Sequence, residues 1–120
     1  MSKILVCDDS AFMRMMLKKL LTDKGHEVVA EAGDGKQAVQ LYRQHKPDLV
    51  TMDITMPVMD GIQAVKHIHD EDPLARIVMV TAIGQRSVIT DAIKAGASSF
   101  IIKPFDPEQV EETINKVLLE

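Results

Sequence analysis

The sequence contains a single cysteine, Cys7, so no disulfide can form within the chain. Lying in the apolar run Ile4-Leu5-Val6-Cys7, it reads as a small buried hydrophobe, and a redox role is set aside. Long apolar runs are also missing. No stretch approaches the roughly 20 residues of a membrane helix, and Asp8 and Asp9 interrupt the only run that could serve as a signal-peptide core. The chain is therefore read as soluble and cytoplasmic, with no membrane partner. Positive charge is in deficit, since 14 Lys and Arg against 18 Asp and Glu leave a net charge of -4. Nucleic-acid phosphates are gripped by clustered Lys and Arg, so nucleic acid is excluded as a partner, and Lys18-Lys19 reads as a solvated helix edge. Repeats, linkers and low-complexity segments are absent, and 120 residues suffice for one core but not two. A single monomeric domain over residues 1–120, with no output domain, is expected.

What is present is a regular alternation of short apolar runs and helical patterns. Runs at residues 4–7, 28–30, 49–52, 77–80 and 100–102 are the length of buried strands. Between them, Met13, Met16, Leu17, Leu20 and Leu21 form one apolar helix stripe, closed by Gly25 as a left-handed cap. Ala38, Leu41 and Tyr42 give a second helix its inner face before Pro47 stops it. Asp60 caps a third, with Gln63 three residues on as in a capping box, and Ile62, Val65 and Ile68 inward until Pro73. Ile89, Ala92 and Ile93 mark a fourth ending at Gly96. The fifth starts from Asp106 as cap, with Pro107 at its first position and Val110, Ile114, Val117 and Leu118 inward. Five strands alternating with five helices predict an α/β fold, a doubly wound five-stranded parallel sheet with helices on both faces.

The polar residues of interest end the strands. Asp8-Asp9, Asp53 and Lys103-Pro104 each follow an apolar run, and Thr81 ends a fourth. Ligands of open parallel sheets bind at the carboxyl ends of strands, so three carboxylates and one amine share one rim. Like charges ~4 Å apart repel by roughly 4 kcal/mol near a protein surface, and a divalent cation would offset that. A few hard oxygen ligands suit Mg2+, which keeps several waters, whereas Ca2+ takes more. A carboxylate in such a site can attack phosphorus and form an aspartyl phosphate, with metal and amine neutralising the transferring oxygens. Lys103 supplies the amine and Thr81 a hydroxyl donor.

Taken together, Asp8-Asp9, the stretch Met52-Asp53-Ile54-Thr55-Met56-Pro57-Val58-Met59-Asp60-Gly61, Thr81-Ala82 and Lys103-Pro104-Phe105 resemble the two-component receiver domain. The likeness runs over essentially the whole chain and implies the flavodoxin-like arrangement of the sheet. It also implies that Asp53 takes a phosphoryl group from a histidine kinase's phosphohistidine or a small phosphodonor. Asp9, Asp53 and the backbone carbonyl of Thr55 are then Mg2+ ligands, with Asp8 assisting through water. Thr81 and Lys103 hold phosphoryl oxygens, the Lys103–Pro104 peptide is cis, and Phe100 falls at the switch position. On phosphorylation, Thr81 moves toward the phosphate and Phe100 turns inward. The stretch Asp9-Ser10-Ala11-Phe12-Met13-Arg14 is most similar to stand-alone chemotaxis regulators, whose implied partners are a chemotaxis histidine kinase, the flagellar motor switch and a phosphatase. A single-domain phosphorelay intermediate is the alternative.

Plainer readings compete at several positions. An Asp pair before a helix is commonly only a cap, and an aromatic in a strand such as Phe100 is commonly core. Met13 and Met16 read as core, with Met15 off the stripe. His67 and His69, two apart on a helix, do not share a face and make a poor metal pair, while His26 and His45 read as surface residues. A Mg2+-dependent phosphatase acting through an aspartyl phosphate needs an acid two residues after the nucleophile, where this chain has Thr55. A nucleotide or flavin binder needs a Gly-rich cradle, where it has Asp8-Asp9-Ser10.

Overall fold

A computed structural model describes residues 2–120. Five strands, β1 (Lys3–Cys7), β2 (Glu27–Ala32), β3 (Leu49–Met52), β4 (Ile77–Thr81) and β5 (Ser99–Ile102), alternate with five helices. The helices are α1 (Ala11–Asp23), α2 (Gly35–His45), α3 (Gly61–Glu71), α4 (Arg86–Ala95) and α5 (Pro107–Leu118). The strands form one sheet in the order β2-β1-β3-β4-β5, every pair parallel. The chain order reverses between β1 and β3, which is where doubly wound sheets open a crevice for ligands.

Period-two alternation divides the interior. Ile4 and Val6 of β1 and Val78 and Val80 of β4 pack with Leu17 and Leu21 of α1 and Val110, Ile114 and Val117 of α5. Their neighbours Leu5, Cys7, Ile77 and Met79 face the other way, toward Ala38, Val39 and Tyr42 of α2, Ala64, Val65 and Ile68 of α3, and Ala92 of α4. Every residue of β3 and β4 is buried, as expected of central strands covered on both faces. Each fully buried Leu, Ile or Val contributes roughly 1.5–3 kcal/mol, so these two layers dominate the stability.

Local chemistry starts and stops the helices. The side chains of Ser10, Asp34, Asp60 and Asp106 each accept a backbone N–H at the third position of their helix, and Asp60 and Gln63 form a reciprocal capping box. Gly25 (φ +89°) and Gly96 (φ +128°) take the left-handed geometry that ends α1 and α4. After α2 that conformation falls to a lysine, Lys46 (φ +44°).

Four expectations need correction. Met16 is 42 % exposed rather than core, because α1 meets the sheet along the narrow Leu17–Leu21 line, leaving Met16 beside Leu20 and Pro107 in a surface groove. Ile93 is 43 % exposed, because Ala92 is the one fully buried residue of α4. Strand β2 extends from 27 to 32 rather than 28 to 30; it is an edge strand whose polar ends, Glu27 and Glu31, hid its length. His26 and His45 are half-buried rather than on the surface, and the Nδ1 of His26 is enclosed without a hydrogen-bond partner among the described residues.

Candidate functional site

Strands β1, β3, β4 and β5 lie side by side in that order and their carboxyl ends share one rim, which converts four separated sequence positions into one site. The joins are backbone hydrogen bonds continuing past the strands. The Asp53 N–H donates to the Cys7 carbonyl at 2.9 Å, and the Lys103 N–H to the Thr81 carbonyl at 2.8 Å. Beyond Asp53 the chain folds back so closely that a Cβ on Gly61 would lie 1.9 Å from the Asp53 carbonyl oxygen. Only glycine fits there, and its own N–H donates to the Ile54 carbonyl at 2.7 Å.

Carboxylate oxygens of Asp8, Asp9 and Asp53 all lie within 4.8 Å of one another. Asp8 and Asp53 are buried and Asp9 is exposed. Lys103 enters from β5, its Nζ donating to Asp8 Oδ2 at 2.8 Å and to Asp53 Oδ2 at 3.4 Å. The remaining oxygens of the two buried acids accept backbone N–H groups, Asp8 Oδ1 from Ser10 at 2.9 Å and Asp53 Oδ1 from Ile54 at 2.8 Å. The buried carboxylates are thus held in fixed directions while Asp9 faces solvent.

Burial is the largest influence on Asp53 and pushes its carboxyl above the usual range; the Asp8 charge adds to this, and Lys103 and the Ile54 N–H oppose it without cancelling it. Burial would lower Lys103, but its hydrogen bond to Asp8 and the charges of Asp53 and Asp8 outweigh that and hold its ammonium above the usual range. Lys103 therefore stays charged at neutral pH. Three carboxylates against this one ammonium leave an excess of two negative charges, which matches a dication with hard oxygen ligands. The donor set fits Mg2+.

Thr81 is fully buried at the end of β4, its hydroxyl oxygen accepting the Ile83 N–H at 3.0 Å, so the hydroxyl proton is free for another acceptor. Thr55 is exposed two residues beyond Asp53. The Lys103–Pro104 peptide is cis. Phe100, on the edge strand β5, is 42 % exposed, so its ring is not a core residue here. Cys7 lies directly before the acids, and its thiol is pushed well up by burial first and the Asp8 charge second, which leaves it an inert hydrophobe.

One contact had no signal in the residue pattern. From α1, Arg14 Nη1 donates to the backbone carbonyl of Asp8 at 2.6 Å, and its Nε to Glu31 Oε1 at 3.3 Å. An Arg early in an amphipathic helix ordinarily reads as solvated surface, and a backbone acceptor has no sequence signature.

Comparison with known proteins agrees with this geometry. The response regulator receiver domain family matches residues 4–115. The chain is 60% identical over 116 residues to the chemotaxis protein CheY of Bacillus subtilis, covering 97% of each chain. It is 54% identical over 115 residues to CheY of Thermotoga maritima, covering 96% of each. Among solved structures, a CheX–CheY–BeF3–Mg2+ complex from Borrelia burgdorferi superposes with a TM-score of 0.95 at 37% identity, covering 98% of this chain and 90% of that one. With its parallel sheet, its acidic rim and a family match that runs from the first strand into the last helix, the chain belongs to the response regulator receiver domain family.

Proposed function

We propose that this chain is a response regulator in which Asp53 accepts a phosphoryl group from the phosphohistidine of a histidine kinase, and that the phosphorylated form binds a partner the unmodified form does not. The observation that carries the reading is the Asp8, Asp9 and Asp53 cluster closed by the Lys103 ammonium, with its excess of two negative charges. Asp53 is the acceptor because its carboxylate is buried, raised in basicity and turned toward Lys103. An Asp53 oxygen bonds to phosphorus as the phosphorus–nitrogen bond of the donor breaks, and the electron pair leaves on the imidazole ring. Lys103, anchored by Asp8, sets its positive charge against the transferring oxygens, and the free hydroxyl proton of Thr81 donates to one of them. Asp9, Asp53 and the Thr55 carbonyl, with Asp8 assisting through water, would hold Mg2+ as the cofactor, which would supply the remaining charge neutralisation. The chemistry is confined to the chain's own phosphorylation and dephosphorylation.

Signal output follows from a two-state equilibrium. Thr81 moves toward the phosphoryl group, and Phe100, half out in solvent, gains a place to turn inward, which changes the face of α4, β5 and α5. The high identity to two chemotaxis CheY proteins supports a chemotaxis kinase as donor, the flagellar motor switch as target and a phosphatase as terminator. The likeness to a chain solved with CheX, BeF3 and Mg2+ supports the cofactor and phosphoryl roles. A monomeric single domain over 1–120 acting in the cytoplasm fits this assignment. Intact mass after incubation with acetyl phosphate and Mg2+ tests it. One labile phosphoryl adduct on the native chain and none on Asp53→Asn is expected; no adduct on the native chain with Mg2+ binding confirmed would overturn the reading.

A further inference from the structure

The peptide joining Asp8 to Asp9 lies just past the end of the sheet. The β1–β2 ladder closes at Cys7 opposite Ala32, and the Asp8 N–H still reaches the Ala32 carbonyl at 3.0 Å. The Asp8 carbonyl has left the ladder. Its partner is Arg14, whose Nη1 donates to it at 2.6 Å from one turn into α1. Arg14 is itself fixed from the other side, since its Nε donates to Glu31 on β2, and Lys18 lies 3.8 Å from the second oxygen of that glutamate.

Because the peptide unit is planar, fixing the Asp8 carbonyl oxygen also fixes the Asp9 nitrogen and the Asp9 Cα, the point from which its side chain leaves the chain. Asp9 is the exposed member of the acidic cluster and lacks the Lys103 anchor that holds Asp8 and Asp53. The guanidinium achieves this through a backbone oxygen, so it consumes none of the carboxylate oxygens. We propose that Arg14 is a positioning residue for divalent-cation binding: it orients Asp9 through the Asp8–Asp9 peptide, and Glu31 holds Arg14 in place to do so. This rests on the reading of the acidic cluster as a cation site.

Charge and positioning make opposite predictions. Removing a cation beside a cation site should tighten metal binding on electrostatic grounds alone. Removing an outer group that orients a ligand weakens it, typically by 10–100-fold. The measurement is a Mn2+ titration followed by electron paramagnetic resonance, on the native chain, Asp9→Asn, Arg14→Ala and Arg14→Lys, with urea midpoints for each. The native chain is expected to bind one Mn2+ and Asp9→Asn to lose it. Arg14→Ala is expected to bind about tenfold more weakly or worse, with Arg14→Lys in between. Equal or tighter binding by a folded Arg14→Ala overturns the proposal and leaves the cation site standing. A native chain that binds no Mn2+ overturns the cation site itself. Should Arg14→Ala not fold, Glu31→Ala probes the same link from its far end, and unchanged Mn2+ affinity there overturns the role.

Discussion

Two single residues carry unfavourable terms that can be relieved. Asp53 is buried close to another carboxylate, and burial, then Asp8, raise its folded pKa despite Lys103. Below the unfolded value of about 3.9 the group is protonated in both states and costs nothing. As pH rises through the raised folded value, the unfolded chain ionises more readily, so the folded state loses stability and the loss is complete above that value. Asp53→Asn, without divalent cation, is therefore expected to be more stable than the native chain at pH 7, the gap closing by about pH 4. Urea midpoints across that range decide it; a gap independent of pH would assign the difference to packing. The second residue is Val58, in the loop from Asp53 to α3, which holds φ +69° while 79 % exposed. A β-branched residue there costs about 1–3 kcal/mol, whereas Asn tolerates the conformation. Val58→Asn is expected to raise the urea midpoint by the equivalent of about 1 kcal/mol, and a fall would mean that the valine makes an unrecognised contact.

Among elements, α2 and α3 are joined by two polar links of unequal worth. The Tyr42 hydroxyl donates to Asp72 at 2.7 Å from a ring packed in the core, whereas Arg43 and Glu71 form a double hydrogen bond in solvent. A hydrogen bond to a charged acceptor is worth about 1.5–3 kcal/mol, and an exposed ion pair about 0–1. Tyr42→Phe should therefore lower stability by more than Arg43→Ala, despite the larger number of bonds that Arg43 makes; equal losses in urea would contradict this. The caps explain why these elements were legible: Asp60 with Gln63, and Asp106 with Pro107, state a helix start in the residues themselves. The full length of β2 is hidden because an edge strand mixes charge into its apolar run, and Met16 and Ile93 lie outside the core that periodicity suggests, because periodicity gives a face but not its width. That Asp8, Asp9, Asp53 and Lys103 come together was readable because strand ends converge in this topology. Arg14 was not, because its partner is a main-chain oxygen.

At the scale of the whole molecule, cation binding and stability are linked. Free Mg2+ at 100 times its dissociation constant adds about 2.7 kcal/mol, or roughly 10 °C in a domain of this size. Scanning calorimetry should register that rise for the native chain and not for Asp9→Asn; an equal rise in both would place the ion elsewhere, and no rise in either would mean that the folded chain does not bind it. The strand order carries a further consequence, in time rather than space. Because β1 lies between β2 and β3, the chain up to Met52 already contains three adjacent strands during synthesis, while β3 still waits for β4. Lys103 arrives last, joining Asp8 and Asp53 made 95 and 50 residues earlier. The acids of the cluster are thus synthesised, on strands that neighbour one another, well before their counter-charge.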